Sequence, residues 1–470
     1  MKRIAIVGGG IAGLTAAYEL ARLRERSPVQ VVLFESSARL GGIVETVREG
    51  GFVIECGPDG WVTEKPWARE LAEGLGLEGE IVPSNDSQRK TYVLTGDRLV
   101  PIPDGMRMMV PKILQNIDSS ELFSDQAKLG FHRELERAEE LKAAAPDEDE
   151  SVATFVRRHF GEEVIEKIGS PLLSGVLGGD AEKLSVRAVM APFVAMEREH
   201  GSLIRALQIR EKSSQNAIFT SLISGTGALV DRMEAYVPPD WIRLNSSVRS
   251  IARDDKGWRV ETAHNPEWGL ERFDAVLLAA PIDVARTLLQ LTDERAAELM
   301  AMDASSAVVV GFGFPDASKF SIPPGFGFLV PRGSGSHLLA CTFVDQKFPH
   351  RVPPGGRLLR AFFGGEAAER MMRCGNDEIA AIARGELARI LGPLPEPQVS
   401  VVRRWPRSLP LYAVGHLERM AELDGRVRQL PGLWLLGNGY RGVGLPDLIR
   451  DARAAARAVM GVSASARQTN

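Results

Sequence analysis

Cysteine is scarce in this sequence, and its few copies are widely separated. The 470 residues include three cysteines, at positions 56, 341 and 374. Such separation fits neither the ligand spacing of a zinc site nor the paired cysteines of a disulfide framework. We therefore predict no metal site, and we expect a reducing compartment, the cytoplasm.

Long apolar runs and an excess of charge of one sign are also absent. No apolar run approaches the roughly 18 residues of a membrane-spanning helix, and the longer runs, such as 307–314, have the length of a buried strand. Lysine and arginine total 57 against 61 aspartates and glutamates, which gives a formal net charge of -4. This balance offers no electrostatic reason to expect nucleic acid as a partner. The first residues enter a strand directly, without the apolar region of a signal peptide.

The usual motifs of hydrolases and P-loop enzymes are missing as well. The patterns G-x-S-x-G and G-K-[ST] do not occur, so neither class is supported. The seven histidines are scattered, and none stands at metal-ligand spacing from another. No catalytic residue can be named from these patterns.

The N-terminus does contain a nucleotide-binding pattern. Residues 3–7 are apolar and β-branched like a buried parallel strand, and residues 8–13 follow with the pattern G-x-G-x-x-G. Residues 14–24 have a helical composition, 29–34 form a second apolar strand, and Glu35 comes next. The glycines alone would indicate only a turn. Strand, glycine turn, helix, strand and acid in this order predict a dinucleotide-binding unit.

Each part of that unit has a physical role. Gly8 permits the tight turn, Gly10 lets the backbone approach a pyrophosphate, and Gly13 lets helix and strand pack closely. The free N–H groups at the helix start favour phosphate. Glu35 stands where a carboxylate can accept hydrogen bonds from ribose hydroxyls.

A second glycine pair follows that acid. Residues 35–42 have the pattern E-x-x-x-R-x-G-G, and residues 55–60 form the turn E-C-G-P-D-G after a strand-like segment. An ordinary NAD-binding domain needs no second close approach of this kind. These features resemble the flavin amine oxidase and protoporphyrinogen oxidase superfamily, and the resemblance implies FAD as the cofactor.

Later segments return to the same domain. Residues 273–280 and 433–436 look like buried strands, and the second of them enters a glycine-rich stretch before a helix. The resemblance implies that this helix start lies at the flavin ring and that Val248 contacts the adenine, with a core valine as the alternative. The implied cofactor contacts are Gly8, Gly9, Gly10, Ile11, Ala12, Gly13, Glu35, Ser36, Arg39, Gly42, Ile43, Gly57, Pro58, Asp59, Gly60, Val248, Trp405, Val443, Gly444 and Leu445.

The predicted fold class is α/β, with a discontinuous FAD-binding Rossmann-like domain, an α+β substrate domain and a helical insertion. The FAD-binding domain comprises 1–88, 221–290 and 401–465. The substrate-binding domain comprises 89–100, 201–220 and 291–400. The helical insertion is 101–200, and 466–470 form a tail.

Four further stretches resemble oxygen-dependent protoporphyrinogen oxidases and the related coproporphyrinogen oxidases. They are S-G-V-L-G-G-D at 174–180, E-x-x-x-G-S-L at 197–203, G-F-G-F-L-V-P at 325–331, and W-P followed by P-L-Y-x-x-G-H at 405–416. The resemblance implies removal of six electrons from a porphyrinogen in haem synthesis, with oxygen as acceptor and hydrogen peroxide as product. His416 lies in the last motif, and we interpret it as structural.

The same resemblance implies a set of substrate-binding residues. Phe326, Leu329 and Phe362 would form apolar walls for the macrocycle, and Gly175 would leave room for it. The alternative for each of them is ordinary core packing.

The propionate arms of a porphyrinogen also require a cation. The family often has arginine where this sequence has Thr91, so Arg89 or Lys90 is the candidate substitute. The alternative is that both are surface charges. This departure leaves open whether the substrate carries two or four carboxylates.

Two other functions remain as alternatives. One is an oxidase of amines or carotenoid-like polyenes, although those enzymes usually have arginine where Ile43 follows Gly42. The other is a binding protein like the GDP-dissociation inhibitors, which usually lack an intact glycine fingerprint.

Residues 106–114 are a candidate surface for peripheral membrane contact. The alternative is a helix that packs on the core. We also expect transfer of the product to a following haem-pathway enzyme.

Overall fold

The computed structural model describes residues 1–25, 27–210, 217–263 and 270–462, so the predicted tail lies outside it. In chain order, its strands are β1 (Lys2–Val7), β2 (Val29–Phe34), β3 (Thr46–Glu49), β4 (Phe52–Glu55), β5 (Trp61–Val62), β6 (Ile81–Pro83), β7 (Thr91–Thr95), β8 (Arg98–Pro101), β9 (Met106–Arg107), β10 (Val110–Pro111), β11 (Phe219–Leu222), β12 (Ile242–Arg243), β13 (Val248–Asp254), β14 (Gly257–Thr262), β15 (Leu270–Phe273), β16 (Ala275–Leu278), β17 (Ala304–Phe314), β18 (Gly327–Leu329), β19 (Ala340–Phe343), β20 (Arg357–Gly364), β21 (Val399–Pro410) and β22 (Leu433–Leu435).

The helices alternate with these strands at both ends of the chain and cluster in its middle. They are α1 (Ile11–Leu23), α2 (Trp67–Gly74), α3 (Leu114–Asp118), α4 (Asp125–Glu136), α5 (Ala138–Ala143), α6 (Val152–Phe160), α7 (Glu162–Val164), α8 (Ser170–Leu177), α9 (Val186–Val189), α10 (Ala191–His200), α11 (Leu203–Ile209), α12 (Gly227–Tyr236), α13 (Ile282–Leu289), α14 (Glu294–Leu299), α15 (Val344–Lys347), α16 (Gly365–Met371), α17 (Asn376–Leu391), α18 (His416–Val427) and α19 (Leu445–Val459).

A parallel sheet of strand order β12-β2-β1-β16-β22 joins the two ends of the chain. In β1 the residues from Ile4 to Val7 are all buried, as are all four residues of β16. These strands are apolar because other elements cover both faces of the parallel sheet. Helices α1, α2, α12 and α19 share a core with one face, and β13–β15 with α13, α14 and α18 share a core with the other. The predicted α/β class is therefore confirmed.

A second, mixed sheet has the strand order β21-β17-β20-β19-β18-β7-β8. Along β17, Val308 and Phe312 point into a core shared with α16 and α17. Gly311 lies on the opposite face, where an added Cβ would be 2.6 Å from the side chain of Ile54 in β4. This face therefore lies directly against the FAD-binding domain. The sequence predicts 401–410 to belong to that domain, but the structure places these residues in β21 of the mixed sheet.

The helical cluster extends from α3 to α11 around its own core. Serines cap several of its helices, as predicted for α6, where the Ser151 side chain accepts a hydrogen bond from the Thr154 N–H. Leu203 and Leu207 of α11 are buried in this core. The cluster therefore continues to Ile209, beyond the boundary predicted at 200.

Residues 106–114 do not form a helix packed on the core, so that one of the two predicted alternatives is wrong. They form the β9–β10 hairpin, in which Val110 pairs with Arg107, and α3 begins only at Leu114. Met108 has a φ of 52°, a left-handed turn conformation that a helix would not contain. Met109 and Val110 are buried in the helical cluster. Across the described ranges, no helix combines the length and apolar character needed to cross a membrane.

Candidate functional site

The first glycine turn has the geometry that the sequence predicts. Gly8 has a φ of 106°, in the region that favours glycine. An added Cβ on Gly13 would lie 1.9 Å from the Gly8 carbonyl oxygen, so helix α1 can approach β1 only with glycine there. A Cβ on Gly10 would meet no atom within 4 Å. Gly10 therefore borders open space at the start of α1, as close approach to a pyrophosphate requires.

Backbone groups, not side chains, face that space. Helix α1 has no side-chain hydrogen bond at its N-cap, Gly10. Ile11 and Ala12 are buried in the core beneath the sheet. The second glycine pair lies alongside, because the Gly41 N–H donates to the Gly9 carbonyl oxygen at 2.8 Å. The result is an N–H-lined cradle for an anion.

Glu35 closes one end of this cradle. Its carboxylate accepts hydrogen bonds from the N–H groups of Gly9 and Ser37, each at 2.7 Å. The Ser246 N–H donates to the Glu35 carbonyl oxygen at 2.8 Å, and β13 begins two residues later at Val248. The predicted ribose and adenine contacts therefore lie at one end of the parallel sheet. Ser36 follows Glu35 directly, with its hydroxyl 3.3 Å from the carboxylate.

Arg39 connects the second glycine pair to the mixed sheet. Its guanidinium donates to the carbonyl oxygen of Gly42 and forms an ion pair of 3.3 Å with Glu45. Its Cζ lies 5.9 Å from the ring centroid of Trp405 in β21. Burial alone would raise the pKa of Glu45, but the hydrogen bond from Arg403 and the charge of Arg39 outweigh burial and lower it. The sequence patterns did not indicate Glu45 or Arg403.

The turn at 57–60 is packed tightly against neighbouring backbone. A Cβ on Gly57 would lie 2.0 Å from the Ile43 carbonyl oxygen, and one on Gly60 would lie 2.5 Å from the Thr220 carbonyl oxygen. Thr226 donates to the Pro58 carbonyl oxygen at 3.1 Å. These close backbone approaches and the Thr226 hydroxyl hold the turn in place.

Three cations of the mixed-sheet domain surround this turn. Arg360 donates to the Gly57 carbonyl oxygen and Arg351 to that of Asp59. The Lys347 ammonium lies 2.9 Å from the Asp59 carboxylate. Burial alone would raise the pKa of Asp59, but the charges of Lys347, Arg360 and Arg351 outweigh burial and lower it strongly. Sequence reasoning missed these cations, because Lys347 stands 288 positions after Asp59 and Arg360 stands 303 positions after Gly57.

The late glycine stretch leads into α19. Gly444 is the N-cap of this helix, without a side-chain hydrogen bond, and Leu445 is its first residue. Val443 is half-exposed, whereas Leu445 is buried. The first turn of α19 therefore offers the Leu445 N–H and the positive end of the helix dipole, whereas Pro446 has no N–H and the Asp447 N–H donates to the Gly444 carbonyl oxygen at 3.0 Å.

The predicted apolar wall lies on the face of the mixed sheet that is opposite its own core. Phe362 of β20 pairs with Ala340, and Ala340 pairs with Leu329 of β18. A Cβ on Gly175 would lie 3.5 Å from Leu329 and 3.8 Å from Ala340. Gly175, which lies in α8, therefore faces this row of side chains and brings the helix close to it. Phe362 also stacks on Arg360, at 5.0 Å from the guanidinium carbon to the ring centroid.

A cavity of about 740 Å³ opens where the helical cluster meets the mixed sheet. Phe326, Thr91 and Arg89 line it, together with Arg107 of the β9–β10 hairpin. Arg89 and Arg107 are both half-exposed, with acidic neighbours at 3.8 and 3.4 Å. The structure does not place the Lys90 side chain in this lining, and its carbonyl oxygen accepts from the Phe326 N–H at 2.7 Å. Sequence reasoning missed Arg107, which lies in the segment 106–114 that is predicted either as a membrane-contact surface or as a helix packed on the core.

These observations together fit a flavin dinucleotide. The cradle at Gly10, with its uncapped helix start, suits the pyrophosphate, and Glu35 suits the ribose. The uncapped start of α19 provides a second positive helix end, as an electron-accepting ring would require.

Comparisons with known proteins agree with a flavin cofactor. The sequence profile of flavin-containing amine oxidoreductases matches residues 11–460. The coproporphyrinogen III oxidase of Bacillus subtilis is 32% identical over 465 residues, covering 97% of each chain. That of Staphylococcus aureus is 30% identical and covers 98% of this chain and 99% of its own. A crystal structure from Exiguobacterium sp. 255-15 matches with a TM-score of 0.84 at 31% identity, over 97% of this chain and 98% of its own. The chain therefore belongs to the flavin-containing amine oxidoreductase family and is an FAD-dependent oxidoreductase.

Proposed function

We propose that this enzyme oxidises a porphyrinogen to the porphyrin in haem synthesis, with coproporphyrinogen III as its main substrate. Oxygen is the proposed acceptor, and one porphyrinogen with three oxygen molecules gives one porphyrin and three molecules of hydrogen peroxide. The full-length similarity to coproporphyrinogen III oxidases supports this choice of substrate.

The observation that carries the proposal is the position of the 740 Å³ cavity. Its wall includes Val62, only two residues after the turn at 57–60, and Phe219, which pairs with Val62 across β5 and β11. The cavity therefore begins at the turn that the resemblance assigns to the flavin. Its size lies within the usual range of ligand sites, roughly 300–1,000 Å³.

The lining of the cavity suits a macrocycle with an apolar body and acidic arms. Met106, Met108 and Phe326 supply apolar surface, and Arg89 and Arg107 supply cations. A guanidinium can bind a carboxylate through two parallel hydrogen bonds. We propose that these arginines bind propionate arms and that Phe326 supports the macrocycle. Leu329 and Phe362 lie outside the lining of this cavity.

The protein contributes position and charge to the reaction. Held at the glycine turn of 8–13 and at the start of α19, FAD would supply the two-electron acceptor for the bridge carbons and the route of electrons to oxygen. The walls of the cavity hold the macrocycle, and the ion pairs around Asp59 fix the turn beside it. No general base is assigned; the cavity lining contains the carboxylates of Glu64 and Asp104 and no histidine among the described residues.

The test is a direct comparison of substrates. Coproporphyrinogen III and protoporphyrinogen IX are prepared anaerobically and mixed with the holoenzyme in aerated buffer, and porphyrin fluorescence and hydrogen peroxide are followed together. We expect three peroxides per porphyrin and a higher kcat/KM for the tetracarboxylate. A reaction without protein measures autoxidation. Turnover with a panel of amines and none with either porphyrinogen would overturn the proposal.

We also propose that the enzyme works in the cytoplasm and that its product leaves through the rim of this cavity. Val62 and Ile218 are both exposed there, which gives the apolar ring of the porphyrin an apolar path outwards. A following haem-pathway enzyme or a membrane surface would then receive it. Transfer of porphyrin fluorescence to added lipid vesicles tests the second route, and sedimentation with those vesicles tests peripheral attachment.

A further inference from the structure

Tyr412 closes the glycine loop at 437–444 with a single hydroxyl. This hydroxyl donates to the Asn438 carbonyl oxygen at 2.6 Å and accepts from the Gly442 N–H at 3.0 Å. The two partners lie on opposite sides of the loop, and the Tyr412 side chain is buried. One side chain therefore ties together the start and the end of the loop.

His416 supports Tyr412 and the same loop. The two rings stack at 3.9 Å between centroids with an angle of 10° between their planes. Nε2 of His416 lies 3.0 Å from the Tyr440 carbonyl oxygen, which can only accept, so Nε2 donates. Burial lowers the pKa of His416 to about 4, so the imidazole is neutral near pH 7. The pair acts through hydrogen bonds and stacking, without a net charge.

The loop needs this support because of its composition. Gly437 and Gly442 have φ values of 132° and 154°, and glycines lose more backbone entropy on ordering than other residues. The side-chain amide of Asn438 adds a hydrogen bond of 2.8 Å to the Ser408 carbonyl oxygen. The last residue of the loop is Gly444, the N-cap of α19. The position of this helix start therefore depends on bonds from outside the loop.

We propose that Tyr412 and His416 are positioning residues that hold the loop, and with it the uncapped start of α19, against the flavin ring and so favour the reduced, negatively charged flavin. The inference rests on the proposed flavin contacts of Val443, Gly444 and Leu445. It does not depend on which substrate is oxidised.

The first test is Tyr412→Phe, measured on the purified holoenzyme. This variant keeps the ring and its stack on His416 but loses both hydrogen bonds to the loop. We expect the preference for binding reduced over oxidised flavin to fall about tenfold. For a two-electron couple this corresponds to a midpoint potential about 30 mV more negative than that of the wild type. Photoreduction against a reference dye measures the potential. Release of FAD, followed by its fluorescence, should also be faster.

Tyr440→Phe is the matched control. It removes a hydroxyl from the same loop, but this hydroxyl is buried without a hydrogen-bond partner among the described residues. The potential and the FAD release rate of Tyr440→Phe should equal those of the wild type. Equal shifts in both variants, or a Tyr412→Phe variant with a lower melting temperature and an unchanged potential, would overturn the inference.

A second pair of variants covers the case in which Tyr412→Phe does not fold. His416→Gln retains an N–H donor for the Tyr440 carbonyl oxygen, whereas His416→Leu loses it. The potential of His416→Gln should lie between those of the wild type and His416→Leu, and identical potentials in all three proteins would contradict the role of His416. These comparisons need no porphyrinogen. A wild type that fails to oxidise porphyrinogens would refute the proposed function but leave this result intact.

Discussion

Lys347 and Asp59 join the cofactor domain to the substrate side of the enzyme, with 2.9 Å between the ammonium and the carboxylate. Lys347 is the last residue of α15, which packs on β20, and Asp59 belongs to the turn that follows β4. The same ammonium lies 4.5 Å from the ring centroid of Phe219 and 6.0 Å from that of Phe326. Both rings line the cavity. A single cation therefore connects the predicted flavin turn, the mixed sheet and the cavity wall.

Replacement of this cation should weaken the junction. Lys347→Met keeps the stem but leaves the Asp59 carboxylate with Arg360 at 3.5 Å as its remaining ionic partner. We expect the free energy of unfolding to fall by about 2 kcal/mol, because a buried charge-assisted hydrogen bond is lost. Urea unfolding measures the loss, and Lys256→Met on an exposed turn is the control. Equal stability of the two variants would show that the ion pair contributes nothing.

The glycine cradle allows a test that separates folding from cofactor binding. A Cβ on Gly10 and a Cβ on the exposed Gly79 both meet no atom within 4 Å, so the protein alone should accommodate alanine at either position. Only at Gly10 would the methyl group occupy the space assigned to the pyrophosphate. We expect Gly10→Ala to weaken FAD binding to the apoprotein at least about tenfold, equivalent to about 1.4 kcal/mol. Gly79→Ala should bind FAD like the wild type. Quenching of FAD fluorescence measures the affinity of both variants. Equal affinities would show that the pyrophosphate does not bind at Gly10.

The arginines of the cavity should distinguish substrates by their number of carboxylates. We expect Arg89→Gln and Arg107→Gln each to raise KM for coproporphyrinogen III by about tenfold, the effect of losing one charged contact of about 1.4 kcal/mol. The effect on the dicarboxylate protoporphyrinogen IX should be smaller. The flavin absorption spectrum should not change. Arg98→Gln, on β8 and outside the cavity lining, is the control, and a KM that is insensitive to both cavity arginines would contradict the assignment.

The helical cluster should become less stable as the pH rises through the neutral range. His159 is fully buried, with Glu134 and Glu197 each 3.0 Å from one ring nitrogen. Burial alone would lower the pKa of His159, but its hydrogen bonds to the two carboxylates outweigh burial and raise it. A folded-state pKa above the unfolded value of about 6.5 means that the protonated ring stabilises the fold fully below that pH. This stabilisation is lost as the pH rises through the higher folded pKa.

The variant His159→Gln tests this pH dependence. Its unfolding free energy should be lower than that of the wild type at pH 6, and the difference should shrink as the pH rises. Urea unfolding between pH 6 and 9 measures both slopes. His337→Gln, at an exposed position, should keep the slope of the wild type. Parallel slopes for the wild type and His159→Gln would exclude His159 as the titrating group.

The part of the site that could be predicted from sequence consists of short backbone segments. Gly8 and Gly13 are required by a turn and a helix that follow one another within a few residues, and their conformations agree with the prediction. The same holds for the N-cap at Ser151. The hairpin at 106–111 was missed, because its methionines have the spacing of an amphipathic helix. Gly105 and Pro111 at its ends, which favour a turn, were the signal that could have indicated it.

What the sequence by itself determined is the FAD-binding unit, because local backbone geometry and apolar strand patterns specify the dinucleotide turn wherever the rest of the chain lies. Only the tertiary structure decided what surrounds that unit. Lys347 reaches Asp59 across 288 positions, and Arg107 reaches the cavity because a hairpin replaces a helix. Tyr412 reaches Asn438 through the packing of two separate elements. Such contacts arise from burial of surfaces that are remote in the chain, and no local pattern of residues encodes which surfaces will meet.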